Sequence, residues 1–133
     1  MVGFPLPSRP KFARVSEAMK EWSGLLVAEL GSWPSITSRR MFGMTVFYRA
    51  GVVFAALPLT RAFENAQSVA FKLYRKTPRI QKMLEGDPRL RGSFREEGKW
   101  IALELESEKD LADALKWIDL AYRTCLSRNN SKT

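Results

Sequence analysis

The stretch FKLYRKTPRIQK, residues 71–82, sets Lys72, Arg75, Lys76, Arg79 and Lys82 together without one acid among them. Cations on a strand end and on the helix that follows can clasp a phosphate backbone, an acidic protein surface or an anionic membrane. A second cationic feature stands upstream in SRRMFGMTVFYRAG, residues 38–51, where Arg39 and Arg40 precede Met41-Phe42-Gly43. Neighbouring strand residues point to opposite faces, so only one of these two arginines is expected to share a ligand with its flanking residues. Arg39, Arg40, Lys72, Arg75, Lys76, Arg79 and Lys82 are therefore the candidate contacts for an anionic partner, with nucleic acid favoured over an acidic protein. The competing reading of the same charges is a solvated face that keeps the protein soluble.

Other chemistry is narrowed by what is missing. The chain has no histidine and one cysteine, Cys125. Ser-His-Asp and Cys-His catalysis, histidine-ligated zinc, Cys-rich metal sites and CxxC redox chemistry all need residues that are not there. Glu96, Glu97, Glu104 and Glu106 remain as acid/base candidates. Glu104 and Glu106, two apart, are expected on one strand face, but hard-metal sites recruit more oxygen ligands than that. Solvated charge is the preferred reading, with no catalytic residue, cofactor or metal ligand assigned. Phe47, Tyr74 and Trp100, interleaved with Arg49 and Lys72, would make a base-stacking platform if the sheet brings them together.

The excess charge is local. Of a formal net charge of +8, residues 37–99 hold thirteen Lys/Arg against five Asp/Glu, while the flanking segments nearly balance. At 133 residues with 45% hydrophobic content, the chain predicts one globular domain over 1–133 with an ordered core of about 11–126. The opening MVGFPLPSRPKF holds no apolar run of signal-peptide length and no later segment reads as a membrane span. Together with the lone cysteine, this predicts a cytoplasmic protein without a membrane partner.

These side chains need elements to position them. Phe12, Val15, Met19, Trp22, Leu26 and Leu30 recur at helical spacing, predicting a helix over about 11–30 that stops at Gly31 and Pro34. The period changes to two from Thr37, and Ala50-Gly51 links MTVFYR to VVFAALP as a hairpin. Pairing Arg49 with Val52 sets Phe47 against Phe54 and Val46 against Ala55, leaving apolar residues on both faces. The segment with Phe4 and Leu6, or another subunit, is expected to cover the second face. Met41 and Phe42 read as core-sized residues, and Gly43 permits a bulge or a close backbone approach.

Residues 59–67 read as a loop and 68–74 as a strand. Thr77 caps a short helix ended by Gly86 and Pro88. SFREEGKWIALELE suggests a second hairpin turning at Glu97-Gly98. Ser107 with Asp110 opens a last helix over about 108–126, and SRNNSKT reads as a frayed tail. This order implies an α+β two-layer sandwich, with an antiparallel sheet of about five strands and helices on one face.

SRRMFGMTVFYRAGVVFAAL followed by AFKL resembles the N-terminal domain of the TfoX (Sxy) family of competence regulators. Those domains show an arginine ahead of Met-Phe-Gly, a glycine-marked hairpin, a Met-Phe-Ala-Leu-like strand and a strand ending in lysine. The matching positions are Arg40, Met41, Phe42, Gly43, Gly51, Phe54, Ala55 and Lys72, with Met44 standing where that pattern often has a second glycine. GKWIALELESEKDLADALKWIDLAYRT is similar to the small YjbR/MmcQ proteins, with Trp100 and Tyr122 matching and Ala121 in place of a serine. Both resemblances imply a secretion-chaperone-like α+β sandwich. The first implies gene regulation without a catalytic site, and the second implies DNA binding. The reading is a small non-enzymatic binding module that meets an anionic partner. The alternative is a protein-interaction or chaperone-like homodimer with no nucleic-acid role.

Overall fold

The computed structural model describes residues 12–63, 67–92, 94 and 96–130. In chain order they form β1 (Phe12–Arg14), α1 (Glu17–Leu30), β2 (Ile36–Met41), β3 (Met44–Arg49), β4 (Val52–Pro58), β5 (Arg61–Phe63), β6 (Ser68–Lys72), α2 (Pro78–Glu85), β7 (Leu90–Gly92) and β8 (Trp100–Glu104). A 3-10 turn at Glu108–Asp110 then leads into α3 (Leu111–Asn130). Six strands make an open antiparallel sheet in the order β2-β3-β4-β6-β8-β7, and β1 pairs with β5 in a separate ribbon. The fold is α+β, as the element order predicts, with one strand more than the five expected.

Strand alternation sorts the side chains. Phe47, Ala55, Leu57, Val69, Phe71, Ile101 and Leu103 share one face with Met19, Leu26 and Leu30 of α1, Leu84 of α2 and Trp117, Ile118 and Tyr122 of α3 in one buried cluster. Phe71 stacks on Trp117 with centroids 5.6 Å apart, and each fully buried side chain of this size contributes about 2 kcal/mol. On the other face Met44, Val46, Ala56 and Ala70 form a second buried cluster that contains no helix residue. Both sheet faces are therefore apolar, as the hairpin pattern predicts. The expectation that Phe4 and Leu6 cover the second face concerns residues outside the described set. Among the described residues no helix is long and apolar enough to cross a membrane.

Several local expectations are corrected. α1 starts at Glu17 rather than near residue 11, because the Ser16 hydroxyl accepts from the Met19 N–H at 3.1 Å and caps the helix there. Phe12–Arg14 instead pairs with Arg61–Phe63, inside the stretch that read as a loop. Phe42, expected in the core, is 71% exposed at the tip of the β2–β3 turn.

In the β3–β4 hairpin Arg49 does oppose Val52, but the register then shifts between Phe47 and Tyr48. Phe47 consequently opposes Ala55, and Val46 opposes Ala56. The extra residue, Phe54, is buried in the same cluster as Phe47, so a bulge lets two large side chains enter the core side by side. Besides β6, the strand that pairs with β8 among the described residues is Leu90–Gly92: Leu90 buries opposite Leu103, while Phe94 packs against the core from a bend. Ser93 and Arg95 of that segment lie outside the described set. The last helix continues to Asn130, past the expected end at 126. The short helix is as predicted, with the Thr77 hydroxyl accepting from the Ile80 N–H at 3.2 Å and Gly86 at its end.

Ala50 and Gly51 turn the β3–β4 hairpin with φ of 48° and 82°, the two positive values that a type I′ turn requires. Alanine in the left-handed region is unfavourable by about 1 kcal/mol. Ala50→Gly is therefore expected to raise the melting temperature by about 3 °C, measured by thermal unfolding. An unchanged or lower value would count against strain at this turn.

Candidate anion-binding site

The sheet register divides the seven candidate cations into two groups. Arg39 pairs with Val46 and Arg40 with Thr45, next to the turn joining Met41 to Met44. Lys72 pairs with Trp100 where β6 ends, at the opposite end of the sheet. Arg39 shares its face with Val46 of the second cluster, while Arg40 shares the helix face through Thr45 and Leu57. The two adjacent arginines thus diverge, as strand alternation requires.

At the Lys72 end, β6 runs out into the residues that lead to α2. The Lys72 ammonium sits 4.8 Å from the centroid of Trp100, a cation–π contact. Arg75, Arg79 and Lys82 are exposed and form no ion pair among the described residues. Arg79 and Lys82, three apart on α2, lie on neighbouring positions of one helix surface. The first turn of α2 carries no acid, so Arg79 adds to the positive end of the helix dipole.

Lys76 is engaged differently from its neighbours. Its ammonium donates to the Phe94 carbonyl at 2.7 Å and to the Glu96 carbonyl, and its N–H donates to the Glu97 carboxylate at 2.9 Å. Burial pulls its pKa below the usual lysine value, opposed by Glu97 and Glu96. Lys76 therefore ties the Phe94–Glu97 loop to the start of α2.

The proposed aromatic platform does not assemble. Phe47 is buried on the helix face, and Arg49 lies 3.8 Å over the Tyr122 ring while donating to the Tyr122 carbonyl at 3.0 Å. Tyr74 donates its hydroxyl to the Val53 carbonyl at 2.6 Å. Of the five residues considered, Lys72 and Trp100 are brought together on the second face. Glu104 and Glu106 do not share a strand face either. β8 ends at Glu104, and the Glu106 N–H donates to the Asp110 carboxylate at 2.7 Å beyond it. Cys125 is buried, and burial pushes its thiol up to about 11, opposed by Arg49. It is protonated at neutral pH and packs as a small apolar residue.

Arg89 is a structural cation. It donates to Asp87 at 2.8 Å, to Asp110 at 2.9 Å and to Asp113 at 3.1 Å, joining the α2–β7 connection to the start of α3. Its charge is neutralised within the fold, so the cleft beside it, lined by Asp113, Lys116 and Trp117, offers no free arginine.

Around the β2–β3 hairpin the fold gathers Arg40 with cations that carry no pattern in the sequence. A cleft of about 580 Å³ between α1 and the β2–β3 hairpin is lined by Lys20, Ser38, Arg40 and Thr45. A neighbouring cleft of about 430 Å³ is lined by Arg14, Lys20, Thr60 and Arg61. Arg14 and Arg61 lie far apart in sequence and meet only because β1 pairs with β5. The one local sign was Gly43. A Cβ there would lie 2.8 Å from the Arg61 Cγ and 2.8 Å from the Thr60 Oγ1, so the glycine makes room for Arg61. Its carbonyl accepts from the N–H groups of Leu59, Thr60 and Arg61 at 3.0, 2.9 and 3.0 Å, fixing that segment against the β2–β3 turn.

Fold and surface together define a small α+β domain with cationic surfaces at two ends of its sheet. Comparison with protein-family models, with curated proteins and with solved structures finds no match for the chain.

Proposed function

We propose that this protein is a small non-enzymatic binding module of the TfoX N-terminal-like type that works in the cytoplasm and engages the phosphate backbone of nucleic acid. The observation that carries the reading is that Arg75, just before α2, and Arg79 and Lys82 on it are exposed with no ion pair among the described residues. Unneutralised cations raise the local potential and exchange condensed counterions for phosphate contacts, which needs no sequence-reading helix. Lys72 against Trp100 adds a cation and an aromatic surface beside them. The residues that carry the family resemblance occupy turns and a strand end: Met41-Phe42-Gly43 turns β2 into β3, Gly51 turns β3 into β4, and Lys72 closes β6. The regulatory role implied by that resemblance is part of the proposal.

The triple variant Arg75→Glu, Arg79→Glu, Lys82→Glu is expected to weaken binding of a labelled duplex by about 100-fold or more at low salt. All three side chains are exposed, so its melting temperature should stay within about 2 °C of the parent. Unchanged affinity would remove this surface from the account.

The competing reading is a homodimer that contacts only protein. The edge strand β2 presents Arg39 and Arg40, and charge on an edge strand opposes pairing with a second sheet. A monomer by light scattering at micromolar concentration is the result the nucleic-acid reading expects, and a salt-insensitive dimer would favour the competitor.

A further inference from the structure

We propose that the paired clefts between α1, the β2–β3 hairpin and the β1–β5 ribbon are a binding site for a small phosphate ester. The phosphate would be held by Arg14, Lys20 and Arg61, with the body of the molecule beside Arg40. This site shares no lining residue with the nucleic-acid surface around α2.

Charge is the first support. Lys20 lines both clefts and joins them, and no acid lines either among the described residues. Arg14 stands directly opposite Arg61 in the β1–β5 register, so both side chains leave the ribbon on the same side. Like charges facing each other across an antiparallel pair destabilise it, and an anion between them reverses the sign of that interaction. Glu17 does pair with Lys20 at 3.2 Å, but its side chain is 90% exposed and the contact is a solvated pair within one helix. Such a pair yields to a better anion at little cost.

Shape is the second support. Gly24 lies in the middle of α1 and faces the larger cleft. A Cβ built there meets nothing within 4 Å, so no packing inside the protein requires glycine. Mid-helix glycine is nevertheless unfavourable by about 0.5–1 kcal/mol relative to alanine. Its effect here is to leave the cleft open. The cleft has the size of a small-molecule site, and the Ser38 and Thr45 side chains line it beside the apolar Val27 and Leu59. Exposed guanidinium forks beside such a surface suit a phosphate carried on a compact organic group.

The test is thermal unfolding with inorganic phosphate, AMP and adenosine at matched ionic strength, on the parent and three variants. Phosphate and AMP should both raise the melting temperature, AMP more, and adenosine should leave it unchanged. In Arg61→Gln and in Gly24→Leu the apparent affinity for AMP should fall by about tenfold or more. Neither variant should melt below the parent in phosphate-free buffer, since one relieves a like-charge pair and the other replaces a mid-helix glycine. Arg75→Glu with Arg79→Glu should leave the AMP response intact, which separates this site from the nucleic-acid surface. Three results would each overturn the site: stabilisation no greater than that from chloride, a response that survives in both Arg61→Gln and Gly24→Leu, or a response to single-stranded oligonucleotide with none to AMP.

Discussion

Arg89→Ala will lower the melting temperature by about 8 °C at neutral pH, corresponding to about 2 kcal/mol. Arg89 is the common partner of Asp87, Asp110 and Asp113, and its removal leaves three carboxylates in one place without the cation that pairs them. The arginine side chain is 25% exposed and Asp113 is 45% exposed, so solvent screening keeps the loss below that of a fully buried ion network. Arg89→Lys should recover only part of it, because one ammonium cannot reproduce the planar fork that reaches three acids.

The same cluster sets an acid limb. The hydrogen bond from Arg89 holds the Asp87 carboxyl below its ordinary value of 3.8, and the Glu106 N–H is the main cause of the same shift at Asp110. For a depressed carboxyl, the unfolded chain binds more protons than the folded one between the two pKa values, so stability rises with pH in that window. The contribution is fully present above about pH 4 and is lost as pH falls through the folded values. Arg89→Ala should flatten this limb by removing the Asp87 share, while the Asp110 share persists through backbone N–H groups. Melting curves taken across pH would show it, and parallel curves for parent and variant would contradict the assignment.

Gly92→Ala is expected to cost about 3 kcal/mol, a fall of about 12 °C in melting temperature. Gly92 ends β7 with φ of 134°, a conformation that side-chain-bearing residues rarely adopt. A Cβ there would also lie 2.6 Å from the Trp100 carbonyl oxygen and 3.2 Å from the Ile101 Cα, both backbone atoms of the partner strand. Relief requires separating β7 from β8, which disturbs the connection to the loop that Lys76 anchors. A melting temperature within about 2 °C of the parent would show that the edge strand adjusts freely.

The sequence signals that succeeded were local ones. Thr77 followed by Pro78 marks the start of α2, Ala50-Gly51 marks a hairpin, and the i, i+4 stripe Leu111, Leu115 with Ile118 and Tyr122 marks α3. What failed depended on pairing across distance. Phe12 fits the helical stripe of α1 by spacing alone, but Ser16 caps the helix and the preceding residues are drawn to Arg61–Phe63. The bulge at Phe54 has no marker because a one-residue shift leaves composition and alternation almost unchanged. The candidate site divided along the same line. Arg75, Arg79 and Lys82 were legible as neighbours in sequence, whereas Arg14, Lys20 and Arg61 are gathered by tertiary structure. Lys76 looked like its neighbours because sequence does not reveal which carbonyls an ammonium will find.

Phosphate neutralisation by the exposed cations around α2, proposed above, is measurable by fluorescence anisotropy of a labelled DNA duplex titrated with the protein at several salt concentrations. The logarithm of affinity should fall linearly with the logarithm of salt, with a slope of about −3 for three phosphate contacts. Binding that is absent at low salt, or that does not respond to salt, would contradict it.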